Sequence, residues 1–323
     1  MSLEDLDLID HKILSQLDTD ARISYSALGK KIRVAKETVK YRIQLLQKNG
    51  IIQGYYTVLN LSKLGYTIYR AYIRLQNTSP SIEQEIIDYL LKSKKVVVFY
   101  RVTGPFNLAL GVLAHNTWEY EHFWLDLKKQ FGEYFSDYHF SVFTEYLEFS
   151  RPYFLPSKEA VKNIFTTLKK AEMEKLDKLD LELLSFLSDN ARASLVSIAK
   201  KLNTSVVTAR HRLKNLINKK VIIGFRPIFN LRALGREYYK VDLWFKKFDH
   251  MEEVRQHIIS HPDVAYTERS VIGSDLEFDI ETKNFESFIA TMDSFKEEFP
   301  NDIRDYSYYS LIKNYKMKYA PGL

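Results

Sequence analysis

The 323-residue sequence contains no cysteine, which excludes disulfide bonds, cysteine-ligated zinc, thiol nucleophiles and iron–sulfur clusters. It has only 11 glycines, and it lacks a glycine-rich phosphate loop, a Gly-x-Ser-x-Gly elbow and a His-Glu-x-x-His motif. No apolar run approaches the ~18 residues of a membrane span, and the acidic, amphipathic start is unlike a secretory signal. These absences predict a cytoplasmic protein that is not an enzyme, needs no cofactor and has no membrane partner.

One histidine pair has the spacing of a metal site. His257 and His261 are four residues apart on a predicted helix, which allows two imidazoles to chelate one ion. No further ligand is identifiable near them. The pair is therefore interpreted as a surface feature, and no metal is predicted.

A stretch of more than 50 residues occurs twice without a gap. Ala21-Arg22 and Leu64-Gly65 recur 170 residues later as Ala191-Arg192 and Leu234-Gly235. A repeat of this kind means that one supersecondary unit is present in two copies. The period is the size of a whole domain or a pair of small domains. The function of the chain therefore depends on what one half does and on what is gained by joining two halves.

The positive charge lies in the repeated unit. The chain carries a net charge of +6, yet residues 22–48 alone carry +7 and residues 192–220 carry +8, so the rest of the chain carries −9. Basic residues concentrated in one unit are the electrostatic signature of polyanion binding. A solvated helical face is the alternative, and the recurrence of the charge at the same positions weighs against it.

The periodicity of each unit predicts three helices with a tight turn before the third, which is a helix-turn-helix. In that motif the third helix enters the major groove of DNA. It is predicted to bury Val39, Ile43 and Leu46 in the first copy and Val207, Leu213 and Leu216 in the second. A strand follows as a wing, and Lys220 replaces the helix-ending Gly50, which predicts a turn built differently.

The residues predicted to contact double-stranded DNA lie on and before these third helices. Arg42 and Arg212 also flank the buried stripe, so a structural ion pair is the alternative for them. The first copy offers Lys30, Lys31, Lys36, Thr38, Lys40, Tyr41 and Arg42, and the second offers Lys200, Lys201, Ser205, Thr208, Arg210, His211 and Arg212.

A second pattern follows each basic unit. Strand and helix segments alternate as β-α-β-β-α-β, which is the ferredoxin-like order, and the pattern occurs in both halves. Between the halves, the apolar spacing predicts an ordered linker helix. The predicted class is α+β, a tandem repeat of winged helix-turn-helix and ferredoxin-like βαββαβ domains. The predicted boundaries are 1–60, 61–155, 156–175 for the linker helix, 176–230 and 231–323.

A set of short motifs occurs in a fixed order along the first half. These motifs are Arg22-Ile23-Ser24, Leu28, Val39, Arg42, Leu46, Gly50-Ile51-Ile52, Gly54, Leu64-Gly65 and the turn Val102-Thr103-Gly104. In these motifs the sequence resembles the leucine-responsive regulators, the Lrp/AsnC or feast/famine family. The resemblance implies a DNA-binding winged helix joined to a ferredoxin-like effector and dimerisation domain. It also implies dimers that assemble further and an amino acid or similar ligand between subunits.

The halves depart from this family in different ways. The serine that opens the recognition helix is kept as Ser205 but is Ala35 in the first half. The family's acidic residue after the effector-domain glycine is absent in the first half, which has Gly104-Pro105-Phe106-Asn107, whereas the second half has Gly273-Ser274-Asp275. These four glycine, asparagine and aspartate positions are the candidate ligand site. The resemblance then implies that Asp275, which can hold an ammonium group, matters more than Asn107.

Two other functions compete with DNA-binding regulation. Siroheme decarboxylase has a similar architecture, and Tyr100-Arg101 and Phe106-Asn107-Leu108 are faintly similar to its motifs. Its basic charge would surround an effector-domain pocket, whereas here the charge lies on the helix-turn-helix. The third possibility is a ligand-sensing assembly protein whose winged helices no longer bind DNA. Retention of a DNA fragment or an optical band with a tetrapyrrole would separate the three.

Overall fold

A computed structural model describes residues 3–155 and 162–318. Both halves contain a helix-turn-helix with one wing strand and a βαββαβ unit, so the α+β class is confirmed. The first half consists of α1 (Leu8–Thr19), α2 (Tyr25–Ile32), α3 (Lys36–Lys48), β1 (Ile52–Leu59), β2 (Thr67–Leu75), α4 (Pro80–Lys92), β3 (Val96–Thr103), β4 (Leu108–Ala114), α5 (Thr117–Phe131) and β5 (Phe135–Phe149). A short strand follows, β6 (Ile164–Leu168).

The second half repeats this order. It consists of α6 (Lys178–Asp189), α7 (Leu195–Lys201), α8 (Val206–Asn218), β7 (Ile222–Phe229), β8 (Glu237–Phe245), α9 (Met251–Ser260), β9 (Val264–Val271), β10 (Leu276–Thr282), α10 (Phe285–Glu298) and β11 (Ile303–Met317). Among the described residues, no helix combines the length and the apolar character that crossing a membrane requires.

Side-chain caps set where the helices of each helix-turn-helix unit begin. Ser24 and Ser194 accept backbone N–H groups at the starts of α2 and α7, and Ser205 does the same for α8. Ala35 makes no such bond at the start of α3, as the sequence predicts. A side-chain cap contributes about 1 kcal/mol, so α3 begins with less local stabilisation than α8.

The two wing strands pair with each other. β1 and β7 form an antiparallel two-stranded sheet in which Tyr55 faces Pro227. The connections at its ends are reciprocal, because the Asn60 amide donates to the Val221 carbonyl and the Asn230 amide donates to the Ile51 carbonyl, both at 2.9 Å. The two helix-turn-helix units are therefore joined within one chain by an approximate two-fold arrangement.

The turn after the third helix is built alike in both halves, so the prediction of a different turn is wrong. Gly50 has φ +71° and Lys220 has φ +55°, and each amide donates to a carbonyl three residues earlier. Lys220 therefore adopts the left-handed conformation that glycine takes without a steric cost.

Replacing Lys220 by glycine should raise the free energy of unfolding. The left-handed conformation costs a side-chain-bearing residue about 1–2 kcal/mol, and the added freedom of glycine in the unfolded chain offsets about 0.5–1 kcal/mol of that gain. Urea denaturation should show a small stabilisation. The matched control is Lys214→Gly inside α8, which should destabilise by about 1 kcal/mol. Destabilisation by both variants would contradict the argument.

The two βαββαβ units close into one barrel. Eight antiparallel strands follow one another in the order β2-β4-β3-β11-β8-β10-β9-β5, and β5 returns to β2. The long strands β5 and β11 close the ring, because each changes partner near its middle, at Val142 and at Ser310. Helices α4 and α5 cover one side and α9 and α10 the other, around separate apolar cores. The resemblance implies dimerisation through these domains, and here the two effector domains pair with each other within one chain.

The predicted linker helix is wrong where the structure describes it. Residues 156–161 lie outside the described residues, and Ile164–Leu168 form β6, which pairs with the end of β5. The apolar spacing suggests a helix, but the burial of these residues is set by the packing of a strand. Phe165 and Leu168 are buried, whereas Ile164 is 56% exposed. The segment is a structural element of the first half and no separate tether.

Candidate nucleic-acid interface

The recognition helices α3 and α8 each contain 13 residues, and equivalent positions of the repeat are exposed on both. At ~1.5 Å per residue each is about 20 Å long, which suits a major groove. The apolar face of α3 is buried at Val39, Ile43 and Leu46. The residues left exposed on or beside the two helices include Lys30, Lys31, Lys36, Lys40, Tyr41, Lys200, Lys201, Ser205, Arg210 and His211, with Thr38 and Thr208 half-buried.

The second recognition helix differs from its prediction at one position. Val207 is 75% exposed, and Ala209 takes the buried place that Val39 holds in α3. The prediction that Val207 is buried is wrong. It followed from the apolar character of valine, whereas the repeat makes Val207 the equivalent of Glu37, which is exposed on α3. Val207 therefore belongs to the exposed face of α8, where an apolar group is available to DNA.

Arg42 and Arg212 are held inside their own units. Arg42 contacts Asp7 at 2.8 Å and Asp10 at 3.1 Å, and Arg212 contacts Asp177 at 2.8 Å and Asp180 at 2.9 Å. The backbone amide of Asp10, followed by the charge of Arg42, lowers the pKa of Asp7. The alternative of a structural ion pair is thus realised for both arginines, and the remaining exposed cations are the candidates for DNA contacts.

Two arginines that sequence reasoning passed over fasten the units to each other. Arg22 donates to the carbonyls of Ala191 and Ala193 at 2.6 and 2.8 Å, while Arg192 lies over the rings of Tyr25 and Tyr55. The repeat shows that Arg22 and Arg192 are equivalent, but the sequence does not show that each contacts the other unit. We call these contacts of Arg22 and Arg192 the arginine seam. The arginine seam fixes the spacing of α3 and α8 as a property of the fold.

A buried ion-pair network anchors the DNA-binding units to the barrel. Arg226 of β7 is fully buried and contacts Asp18 at 2.6 Å and Glu148 at 3.3 Å. Arg151 contacts the same Asp18 at 2.9 Å and Glu281 of β10 at 2.8 Å. Nearby carboxylates, Asp18 foremost, hold the pKa of Arg226 above its usual value against the effect of burial. The junction therefore couples α1, the wing sheet and both sides of the barrel.

The candidate ligand turns serve the same backbone role in both halves. The Asn107 amide oxygen accepts from the Leu75 amide, and an Asp275 carboxylate oxygen accepts from the Phe245 amide, each at 2.8 Å. Gly104 and Gly273 have φ of +126° and +133°, so both turns require glycine. Ligand binding at these four positions stays a prediction, and the asparagine–aspartate difference does not change the local geometry.

The lumen of the barrel is charged. Lys240 contacts Glu268 at 2.8 Å, Glu277 at 3.0 Å and Asp279 at 3.4 Å, and Arg70 lies 3.5 Å from Glu268. Burial, and next the charge of Asp279, raises the pKa of Glu268 to about 8. The raised pKa favours the neutral form of the Glu268 carboxyl, and that form lowers the repulsion inside the cluster.

A cavity of about 790 Å³ lies between the wing sheet and the second half of the barrel. Residues of β1, β7, β8, β9, β10 and β11 line it, together with the turn that contains Arg232. Five cationic and two carboxylate side chains face it: Arg151, Arg232, Arg236, Lys283 and Lys313, with Glu237 and Glu281. This cavity is separate from the Gly104 and Gly273 turns and was not predicted.

The residues that suggested a decarboxylase do not come together. Tyr100 lines the cavity, whereas Arg101 pairs with Glu83 of α4 at 2.7 Å. Phe106 stacks on Tyr72, and Asn107 holds a strand end. The histidine pair also has a local explanation, since the rings of His257 and His261 both meet Phe295 edge-on. Within 3–155 and 162–318, no cluster of side chains has the composition of a metal site.

Fold and exposed helices together define a winged-helix protein in which two DNA-binding units share one ferredoxin-like barrel. An AsnC-type helix-turn-helix domain is matched over residues 6–47, and a winged helix-turn-helix DNA-binding domain over 176–223. An uncharacterized HTH-type transcriptional regulator of Pyrococcus furiosus is 38% identical over 104 residues, which is 32% of this chain and 69% of that protein. The regulatory protein AsnC of Haemophilus influenzae is 30% identical over 113 residues, covering 35% and 75%. The chain belongs to the Lrp/AsnC family.

The joined arrangement also has a counterpart among solved structures. The crystal structure of the siroheme decarboxylase NirDL superposes with a TM-score of 0.62 over 97% of this chain and 94% of that one. The two sequences are 15% identical, so the likeness concerns the fold. It establishes that two units of this kind occur together in another protein of similar size.

Proposed function

We propose that the protein is a sequence-specific DNA-binding transcriptional regulator that presents both recognition helices to one duplex. The observation that carries the proposal is the pair of exposed basic helices, α3 and α8, held at a fixed spacing by the wing sheet and the arginine seam. A two-fold pair of helix-turn-helix units matches the two-fold symmetry of DNA half-sites. Relatives named as HTH-type transcriptional regulators support the same function.

The two reading faces differ in chemistry. Glu37 on α3 can accept a hydrogen bond from the amino group of cytosine, whereas Val207 at the same place on α8 suits the methyl group of thymine. Lys40 and Arg210 occupy equivalent exposed positions, where a cation reads guanine or binds phosphate. One duplex would therefore be read by two unlike surfaces.

Selection of binding sites from random DNA should yield two unlike half-sites about one helical turn apart. The reason is that α3 and α8 share a scaffold but not their exposed residues. Each discriminating contact is worth about 1–3 kcal/mol per base pair. Enrichment of perfect palindromes would contradict the asymmetry, and absence of any enrichment would contradict sequence-specific binding.

A swapped variant sharpens the same experiment. Glu37→Val should shift the selected half-site toward the one read by α8, while the reverse change Val207→Glu should shift the other. Both residues are exposed, so neither change disturbs a core. The control is Gln44→Val, another exposed position of α3, which should leave the consensus unchanged.

Modulation by an amino acid or similar ligand at Gly104, Asn107, Gly273 and Asp275 remains part of the proposal. The structure supplies turns that require glycine at both places but no difference in their hydrogen bonding. Further association between chains through the ferredoxin-like domains likewise stays a prediction. The decarboxylase alternative has the support of the fold alone, and a tetrapyrrole titration monitored by absorbance tests it directly.

A further inference from the structure

The cavity beside the wing sheet has a filled counterpart in the first half. There, residues that follow β5 occupy the equivalent place and belong to the chain itself. The ring of Phe165 lies so close to Gly224 that an added Cβ would stand 2.7 Å from it, and the Arg226 guanidinium lies 4.9 Å from the ring centroid. Met173 lies against Gly65 in the same way. We call residues 162–174 the first-half plug.

The plug supplies a carboxylate as well as a ring. Glu174 contacts Lys63 at 3.1 Å and Lys219 at 3.2 Å, and its amide donates to the Lys63 carbonyl. Thr167 accepts from the Leu61 amide, which fixes the plug beside the turn that contains Lys63. At this place the first half is therefore in contact with an aromatic ring, that of Phe165, and with a carboxylate, that of Glu174.

The second half presents the same walls with an open space between them. Gly54 is the repeat equivalent of Gly224, and among the described residues the nearest atom to an added Cβ there is Ile228 Cδ1 at 3.7 Å, which belongs to no ring. Tyr56 stands where Arg226 stands in the other half, and Tyr100, Tyr238 and Tyr266 line the space beyond. Its walls therefore suit an aromatic body.

The positively charged side chains that line the cavity favour an anionic ligand. Arg151 and Arg236 are already paired, with Glu281 and Asp263 at 2.8 Å. Arg232 lines the cavity, is exposed, and makes no ion pair with any residue that the structure describes. Its equivalent in the first half is Ser62, the neighbour of the lysine that holds Glu174. A guanidinium in this place can bind a carboxylate through two parallel hydrogen bonds.

We propose that this cavity binds an aromatic carboxylate, with the ring against Tyr56, Tyr100 and Tyr238 and the carboxylate on Arg232. The volume of about 790 Å³ lies within the range of ligand sites, roughly 300–1,000 Å³. The site is distinct from the DNA-reading helices and from the Gly104 and Gly273 turns, so it goes beyond the proposed function.

Calorimetry of the full chain without DNA tests the site with probes that separate ring from charge. Indole-3-acetate should bind saturably, whereas tryptamine, with the same ring and a positive charge, and acetate, with no ring, should not bind at the same concentrations. Arg232→Gln should weaken indole-3-acetate about tenfold or more, because it removes a charge-assisted contact. Arg304→Gln, the same change at an exposed arginine outside the cavity, should leave the affinity unchanged.

A second variant tests the location. Asn314→Trp places a large ring into the space from an exposed strand position and should abolish binding while the fold, measured by circular dichroism, is retained. Absence of indole-3-acetate binding, equal binding of tryptamine, or affinity unaffected by Arg232→Gln would each overturn the proposal. Binding of a porphyrin carboxylate but not of indole-3-acetate would also overturn it, in favour of the tetrapyrrole alternative. None of these outcomes depends on DNA binding.

Discussion

Replacing Arg226 by methionine should lower the free energy of unfolding by about 3–5 kcal/mol, the cost of breaking a buried ion pair. Arg226 is fully buried and its guanidinium lies between Asp18 and Glu148. Methionine keeps much of the volume but leaves two buried carboxylates with fewer partners. Urea unfolding followed by circular dichroism at pH 7 measures the loss.

The matched control is Arg212→Met in the same DNA-binding unit. Arg212 also has two carboxylate partners, but its side chain is 23% exposed and its partner Asp177 is 57% exposed. A pair screened by water contributes about 0–1 kcal/mol. Equal losses in the two variants would show that burial does not set the cost, and the anchoring role of the network would have to be abandoned.

Affinity for a selected DNA site should fall about a thousandfold or more between 50 and 200 mM salt. Each phosphate contact releases counterions, so that log affinity falls with log salt by about 0.9 per contact. Filter binding or fluorescence anisotropy across a salt series gives the slope. The exposed cations that would make these contacts are Lys30, Lys31, Lys36, Lys40, Lys200, Lys201 and Arg210.

Single variants divide these cations into two roles. If Lys40 or Arg210 binds phosphate, its replacement by alanine should flatten the slope by about one unit for every sequence. If the residue reads a base, discrimination at one position should fall instead, by about 1–3 kcal/mol. The control is Arg304→Ala on the barrel, which should change neither quantity. A flat salt series for the unaltered protein would exclude binding through these helices.

The helix-turn-helix units were predictable because their signals are local. Serine caps, apolar spacing and the basic face all lie within one short segment, and the repeat doubles each signal. The one misplaced core residue, Val207, arose from reading hydrophobicity without the repeat register, which assigns the buried place to Ala209. The paired effector domains could be predicted from the order of elements and the family resemblance.

The charged lumen and the cavity could not be predicted, because both depend on closure between distant strands. Glu277 and Asp279 alternate with Leu276 and Phe278 along β10, which in a single sheet indicates a solvent face. The barrel turns that face inward and buries it. The first-half plug was misread for the same reason, since its helical spacing carries no information about the strand edge that pairs with Ile164–Leu168.

Joining the two halves in one chain changes what a single substitution can do. In a two-fold dimer of identical subunits, any new residue appears at both symmetry-related places, and each copy must tolerate it. Here a change appears once, so Arg232 could arise in one half while Ser62 stayed in the other. A segment such as the first-half plug can likewise fill one site and leave the other open. Fusion makes it possible for the asymmetry between the exposed faces of α3 and α8, and between the filled and the open place beside the wing sheet, to be inherited.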